Sequence, residues 1–319
     1  MLENNKKVYG TPFVFQEGMN LVNLGTASET CDLNKYRALR TQGKVSEADI
    51  AILVSLFVLR YASKYTCVQY IQNHFATIKK KFDKNFSALI RYGLVEKYAL
   101  IYEKEGVSRQ TPPIYALSPS GCKVTRRLFK AFLDATKGKH VYTQLRALED
   151  DIKLPVPILE RVVFNQFRCS FTSAYQKYII GEYYDMVTSY QGYKYTYNLF
   201  RLLVKGKTYE FCVFSVRSNP NSEKSMISTM AAIKNAVNKE GSVFMTDTPI
   251  FIVIAENELH ATRLEASRLG YKGTSGLLCF YTTDVICADS EILNNLIKIS
   301  GTENHLEYHF VKFVLEKIE

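Results

Sequence analysis

The sequence predicts a two-domain α/β protein: a small basic module of helices with a two-stranded extension, then a larger module with a mixed sheet. Its 319 residues exceed what one hydrophobic core usually serves and suit two. Apolar residues recur at helical spacing through most of the first half, while strand-like and helix-like runs alternate in the second. The charge is uneven as well. Residues 44–137 carry 16 Lys and Arg against 7 Asp and Glu, residues 1–43 carry 5 against 4, and residues 138–319 carry 20 of each. Nearly all of the net charge of +10 therefore sits in one candidate module. That is the electrostatic footprint expected of nucleic-acid binding; a solvated lysine-rich face with no partner is the plainer alternative.

Residues 1–43 hold Gly10, Pro12, Gly18, Gly25 and Gly43 without a sustained period, and read as an irregular arm or one short hairpin. Ser46-Glu47-Ala48-Asp49 is a capping-box-like start, and Ile50, Leu53, Val54, Phe57, Val58 and Tyr61 continue it as a helix. Lys64-Tyr65-Thr66 breaks that helix, and Thr66 is expected to cap a second one bearing Val68, Tyr70, Ile71 and Phe75. Thr77 is expected to cap a third, over 77–92, bearing Ile78, Phe82, Phe86, Leu89 and Ile90 and stopping at Gly93. Residues 94–102 read as a strand, Glu103-Lys104-Glu105-Gly106 as a turn, and Ile114-Tyr115-Ala116-Leu117 as the returning strand. Ser118-Pro119 opens a further helix with proline at its first position.

Helix, helix, helix, two-stranded wing, helix is the order of a winged helix-turn-helix. Leu89-Ile90-Arg91-Tyr92-Gly93-Leu94-Val95-Glu96 and Ile114-Tyr115-Ala116-Leu117-Ser118-Pro119-Ser120-Gly121 together resemble the signature of MarR-like and PadR-like regulators, with Ser118 where threonine is usual. In this docking mode the third helix enters the major groove N-terminal end first. Lys79, Lys80, Lys81, Lys84 and Asn85 lie at that end, opposed only by Asp83; Ser87 falls on the outer side, and Arg91 lies at the far end within reach of phosphate. Lysines position a protein on phosphates, whereas Asn85 is the candidate base reader, since asparagine pairs bidentately with adenine. Lys104, Arg109 and Gln110 form the expected wing-tip contacts.

Residues 139–175 read as helical connectors, 142–151 and 157–166, with Pro155 and Pro157 marking the hinge between them. Eight tyrosines fall within residues 175–197, a density suited to half-buried strands, or alternatively to a stacking surface for bases. A hairpin follows (195–204, a Lys205-Gly206-Lys207 turn, 209–216), then a helix over 222–239, a central strand over 249–255, a helix over 258–269 and a strand over 276–281. This order implies a mixed sheet with at least one parallel crossover.

The whole layout resembles the replication-relaxation family of Gram-positive plasmids and integrative elements. The resemblance implies a winged helix joined to a restriction-endonuclease-like α/β domain, with a role in plasmid replication or mobilisation. Where that family's second hairpin strand reads Phe-hydrophobic-Glu-x-Asp, this chain has Phe211-Cys212-Val213-Phe214-Ser215-Val216-Arg217, so the domain is expected to be degenerate. Asp185 and Glu210 are the nearest acidic remnants, short of the two or three convergent carboxylates that Mg²⁺ hydrolysis needs.

Other classes find little support. The seven cysteines are odd in number and form no CxxC, so reduced, buried thiols are expected rather than disulfides or a zinc ribbon. His305 and His309 sit in an alternating, strand-like run, which puts them about 13 Å apart, too far for one ion. There is no GxxxxGK[ST] phosphate loop, and Gly270 to Gly276 reads as a turn between helix and strand. No run approaches the roughly 20 apolar residues that span a bilayer. Met1 to Lys7 has no apolar stretch behind its charges, so a cytoplasmic protein without a signal peptide is expected.

The expectation is thus an arm (1–43), a winged-helix DNA-binding domain (44–137) and an α/β domain for self-association or partner binding (138–319). The expected function is non-catalytic binding of double-stranded DNA for a plasmid or mobile element, in replication initiation, mobilisation or its control, without cofactor or metal. Expected partners are DNA, replication or transfer proteins and, as one open state, a second copy of the chain. The alternatives are a transcriptional regulator with a ligand- or partner-sensing C-terminal domain, and a metal-dependent DNA nickase or nuclease.

Overall fold

The structure, a computed structural model, describes residues 11–25, 30–75, 82–136, 141–143, 154–237, 239–289, 291–302 and 305–312. It is a mixed α/β protein with eight helices and two sheets among the described residues. The chain divides into two compact units: a basic unit of Phe15–Lys139 with Leu145–Asn165, and a sheet unit of Met1–Val14, His140–Gln144 and Gln166–Glu319.

In the basic unit, Ser46 caps α2 (Glu47–Leu59) through a complete capping box: the Asp49 N–H donates to Ser46 Oγ and the Ser46 N–H to Asp49 Oδ2. Of the 13 residues of α2, 11 are buried, as befits a helix that is apolar all round. It ends at Arg60 (φ +65°), and the side-chain amide of Asn165 donates to the freed Leu59 and Tyr61 carbonyls at 2.7 and 2.8 Å.

The second helix starts earlier than expected. Ala62–Ser63 leaves the helix to form β2, and Ser63 rather than Thr66 caps α3 (Lys64–His74) by accepting the Thr66 N–H. Next comes α4 (Asp83–Arg91), the described part of the expected 77–92 helix; residues 76–81 lie outside the described residues. It stops at Gly93 (φ +69°), where the Leu94 N–H reaches back to the Leu89 carbonyl as in a Schellman motif.

β3 (Val95–Lys104) turns through Glu105 and Gly106, both at positive φ as a two-residue hairpin requires, into β4 (Val107–Gln110). The return strand is interrupted at Pro112-Pro113, which have no N–H to give. Thr111 patches the ladder there, its Oγ1 accepting the Leu100 N–H, before β5 (Ile114–Leu117) resumes pairing with β3 and closes on β2. α5 (Pro119–Thr136) follows, and its first turn is tied to the end of α4. Ser118 Oγ donates to the Gly93 carbonyl at 2.6 Å and accepts the Gly121 N–H at 2.9 Å. A Cβ at Gly121 would lie 2.0 Å from the Leu94 carbonyl oxygen, so only glycine permits this approach.

Within the stretch expected as an irregular arm or one short hairpin, Asn20–Asn23 form β1, antiparallel to β3 on the edge opposite the wing, and Asp32 caps a helix, α1 (Leu33–Thr41). Thr11 to Val14 belong to the sheet unit.

The connector residues also differ from expectation. Val141–Thr143 is a strand, β6, and Pro155 and Pro157 sit in the first turn of one 21-residue helix, α6 (Pro155–Tyr175), rather than at a hinge. Residues 144–153 lie outside the described residues. The tyrosine-rich stretch forms β7 (Ile179–Tyr190) and β8 (Tyr193–Val204), joined at Gln191-Gly192, and Lys205-Gly206 turns β8 into β9 (Lys207–Ser215). α7 (Pro220–Val237), β10 (Ile250–Ala255), α8 (Glu258–Leu269) and β11 (Cys279–Thr283) follow, then β12 (Leu296–Thr302) and β13 (His305–Val311).

The eight strands of this sheet run in the order β13-β12-β11-β10-β9-β8-β7-β6, with β9, β10 and β11 mutually parallel. Met226, Met230 and Ile233 of α7 and Leu264 of α8 pack with Phe214, Phe251, Val253 and Tyr281 in one buried core. On α6, Phe167 and Phe171 lie against Phe200 and Phe211, with ring centroids 4.9–6.0 Å apart. Every side chain of β10 is buried, as expected of a central strand.

Candidate nucleic-acid interface

The expected DNA-contacting residues separate into four groups. Lys79, Lys80 and Lys81 lie outside the described residues. On α4, the apolar face (Phe86, Leu89) is buried, which turns Lys84, Ser87 and Arg91 outward in a single stripe at helical spacing. With Asp83 and Ala88 they line a shallow, open depression. Asp83, the acidic residue at this end, is ion-paired to Lys64 of α3, which reduces its opposition to an approaching anion. The Arg91 guanidinium lies 5.3 Å from the centre of the Tyr92 ring.

Asn85 does not join this stripe. Its side-chain N–H donates to Asp49 Oδ1 at 2.9 Å, so it ties α4 to the capping box of α2. The side-chain N–H of Asn85 that would donate to a base is here given to the buried Asp49 carboxylate.

The wing residues occupy two faces. Register places Lys104 opposite Val107 and Arg109 opposite Tyr102, so these four share one face of the hairpin. Gln110 pairs with Ile101 on the other, and all of β4 is exposed. Exposed Lys123, Arg126 and Arg127 add positive charge on the first turns of α5.

In the sheet unit, the two acidic remnants sit in different settings. Glu210 is buried, with Oε1 accepting Arg201 Nε and Nη2 at 2.9 and 2.6 Å and Oε2 accepting the Met245 N–H, the Thr246 N–H and the Thr246 hydroxyl. Asp185 sits in a β-bulge at φ +52°, its N–H directed to Asn198 Oδ1. Sequence reasoning missed a second polar group, at the carboxyl ends of the parallel strands. Arg217, just past β9, forms two hydrogen bonds with Asp284, just past β11; Glu256, just past β10, accepts the Ser218 N–H. Phe13 is held there by both ends, its N–H on Asp284 Oδ2 and its carbonyl on Arg217 Nη1. Burial pushes the Asp284 carboxyl up, with Arg217 and the Phe13 N–H pulling it back. The place of Arg217 directly after the largely apolar run Phe211–Val216 was the available signal.

All seven cysteines are free and buried, and burial pushes the thiols of Cys169 and Cys279 up to about 12. Among the described residues no group of His, Cys, Asp or Glu is placed to hold a metal ion, and no helix is long and apolar enough to cross a membrane. His305 and His309 both lie on β13, as the alternation predicted. Compared with protein-family models, curated proteins and solved structures, the chain matches none.

Proposed function

We propose that this chain is a double-stranded-DNA-binding protein whose basic unit is a winged helix, with α4 as the recognition helix and the β3–β4 hairpin as the wing. The observation that carries the reading is the exposed stripe Lys84–Ser87–Arg91 on α4, within a stretch of 94 residues holding nearly all the net charge. The order α2, β2, α3, α4, β3 and its return strand, with β2 paired to β5, supports it. Lys84 and Arg91 contact phosphates on either side of the groove, and Arg109 contacts the flanking backbone. Sequence reading falls to the outward side of α4 around Ser87, since Asn85 is committed to α2.

The sheet unit carries the partner-binding role in this proposal. Its helix, three-stranded antiparallel run, helix and parallel strand (α6 to β10) make a mixed α/β layer that supports a degenerate nuclease-like reading, since Glu210 spends both carboxylate oxygens on protein donors. The reading is therefore non-catalytic. The layout also keeps the resemblance to the replication-relaxation family as a proposal for the process served.

Binding of labelled duplex DNA, followed by fluorescence anisotropy across a salt series, tests the reading. Affinity should fall with salt, and Lys84→Ala/Arg91→Ala/Arg109→Ala should weaken binding and flatten the log–log slope by about 0.9 per contact removed. Unchanged affinity in that variant sinks the assignment. Sequencing the duplexes enriched from the native replicon then separates a replication origin from an operator or transfer site.

A further inference from the structure

We propose that the chain pairs with a second copy of itself through β13, antiparallel and in a single register that sets Tyr308 opposite the Tyr308 of the other copy. The proposal does not rest on the DNA reading. Among the described residues β13 ends the eight-stranded sheet, and it pairs with β12 on one side through seven consecutive residues. Its outer edge is thus a regular row of backbone donors and acceptors with no strand of the described residues beside it. Sheet edges are commonly blunted by proline, a bulge or a short strand, and β13 has none of these.

The side chains define both the partner and the register. Leu306, Tyr308 and Phe310 share one face. Leu306 packs partly into the core of the sheet unit, whereas Tyr308 and Phe310 are 54% and 58% exposed. The other face carries His305, Glu307 and His309, with His309 beside Lys298 of β12. Pairing centred on Tyr308 sets Leu306 against the second copy's Phe310 and covers the exposed aromatics with one another. The same register sets each Glu307 directly opposite the other copy's His309, a pair repeated by the two-fold symmetry, with that copy's Lys298 on the far side of the histidine. A slip of two residues one way opposes Glu307 to itself. A slip the other way opposes His309 to itself, each copy beside its own Lys298. A slip of one residue is excluded because it would mismatch the faces. Within its own strand Glu307 lies 3.5 Å from His305, both exposed, a contact easily exchanged.

The test uses the full chain. Sedimentation velocity should show a concentration-dependent dimer with Kd on the order of micromolar, since one strand pair lies at the small end of specific interfaces. Under mild oxidation Tyr308→Cys should cross-link to itself, while Phe310→Cys, about 13 Å from its counterpart in this register, should not. The native cysteines are all buried and do not compete. Glu307→Lys should weaken association about tenfold or more, and Glu307→Lys/His309→Glu should restore it. A wild-type chain that stays monomeric at its highest soluble concentration overturns the proposal. Equal cross-linking of both cysteine variants, or a Glu307→Lys dimer of unchanged affinity, does so as well.

Discussion

Arg217 and Asp284 meet in a fully buried, two-pronged ion pair, Nη1 to Oδ2 at 2.8 Å and Nη2 to Oδ1 at 2.9 Å, and together they hold the backbone of Phe13 by its N–H and its carbonyl. The pair joins segments that are 67 residues apart, and Phe13 lies 204 residues from Arg217. Its desolvation is offset only because nearly every prong has a partner, including the Ile254 carbonyl at 3.3 Å. Arg217→Met should therefore destabilise the sheet unit by about 3–5 kcal/mol, because it strands a buried carboxylate. Arg217→Met/Asp284→Leu should recover part of that loss, since the second change removes the stranded charge. Urea unfolding of the three proteins measures both; a single variant as stable as wild type would show that the pair is not a clamp.

His260 predicts how the same region responds to acid. Burial lowers its pKa from 6.5 to about 4; Glu256 opposes that shift, and Arg263 and Arg217 add to it. The neutral ring accepts the Glu256 N–H on Nδ1, while Nε2 lies 3.5 Å from Glu223, itself bound to Arg263. Because the folded pKa is depressed, the unfolded chain takes up a proton first as the pH falls. Stability is therefore full above about 6.5 and is lost as the pH drops toward 4, by roughly 2–3 kcal/mol from this group. His260→Gln should be less stable at pH 7 but should lose less between pH 6.5 and 4. Parallel denaturation curves at the two pH values, with equal losses in both proteins, would rule the ring out as the sensitive group.

The contact between α5 and the end of α4 yields a third prediction. Gly121→Ala would put a Cβ against the Leu94 carbonyl oxygen and should cost several kcal/mol. Ser118→Ala should cost about 1–2 kcal/mol, since it removes a helix cap and leaves the buried Gly93 carbonyl without its donor. Ser118→Thr should be nearly neutral, because threonine supplies the same hydroxyl. Thermal unfolding ranks the three, and Gly121→Ala at wild-type stability would contradict the close approach.

Local signals in the sequence were reliable and long-range ones were not. The capping box at Ser46, the stop at Gly93, the Lys205-Gly206 turn and the helix Glu258–Leu269 were all legible, because each is determined by residues within a few positions. Ser63 displaced Thr66 as a cap because Ala62–Ser63 pairs with Ile114–Tyr115, some 50 residues on, a contact that neither hydroxyl announces. Pairing of Asn20–Asn23 with Tyr98–Ile101 was hidden in the same way. Prolines 155 and 157 suit a hinge and the first turn of a helix equally well, so composition alone did not choose. The outward stripe of α4 was legible from its period, but the partner of Asn85 was not.

Asn85 and Arg91 therefore make a discriminating pair, since both are polar residues on α4 but only one faces outward. Asn85→Ala removes a donor from the buried Asp49 carboxylate and loosens the contact between α2 and α4, and should cost about 1–2 kcal/mol of stability. Its effect on DNA binding at a temperature where the variant is folded should be small and independent of sequence. Arg91→Ala should do the opposite: it should leave unfolding nearly unchanged, weaken binding similarly on all duplexes and reduce the salt slope by about 0.9. Anisotropy titrations on two unrelated duplexes, paired with thermal melts, separate the cases. If Asn85→Ala instead altered preference between the duplexes without loss of stability, its amide would have to leave Asp49 when DNA binds, and the base-reading role would return to it.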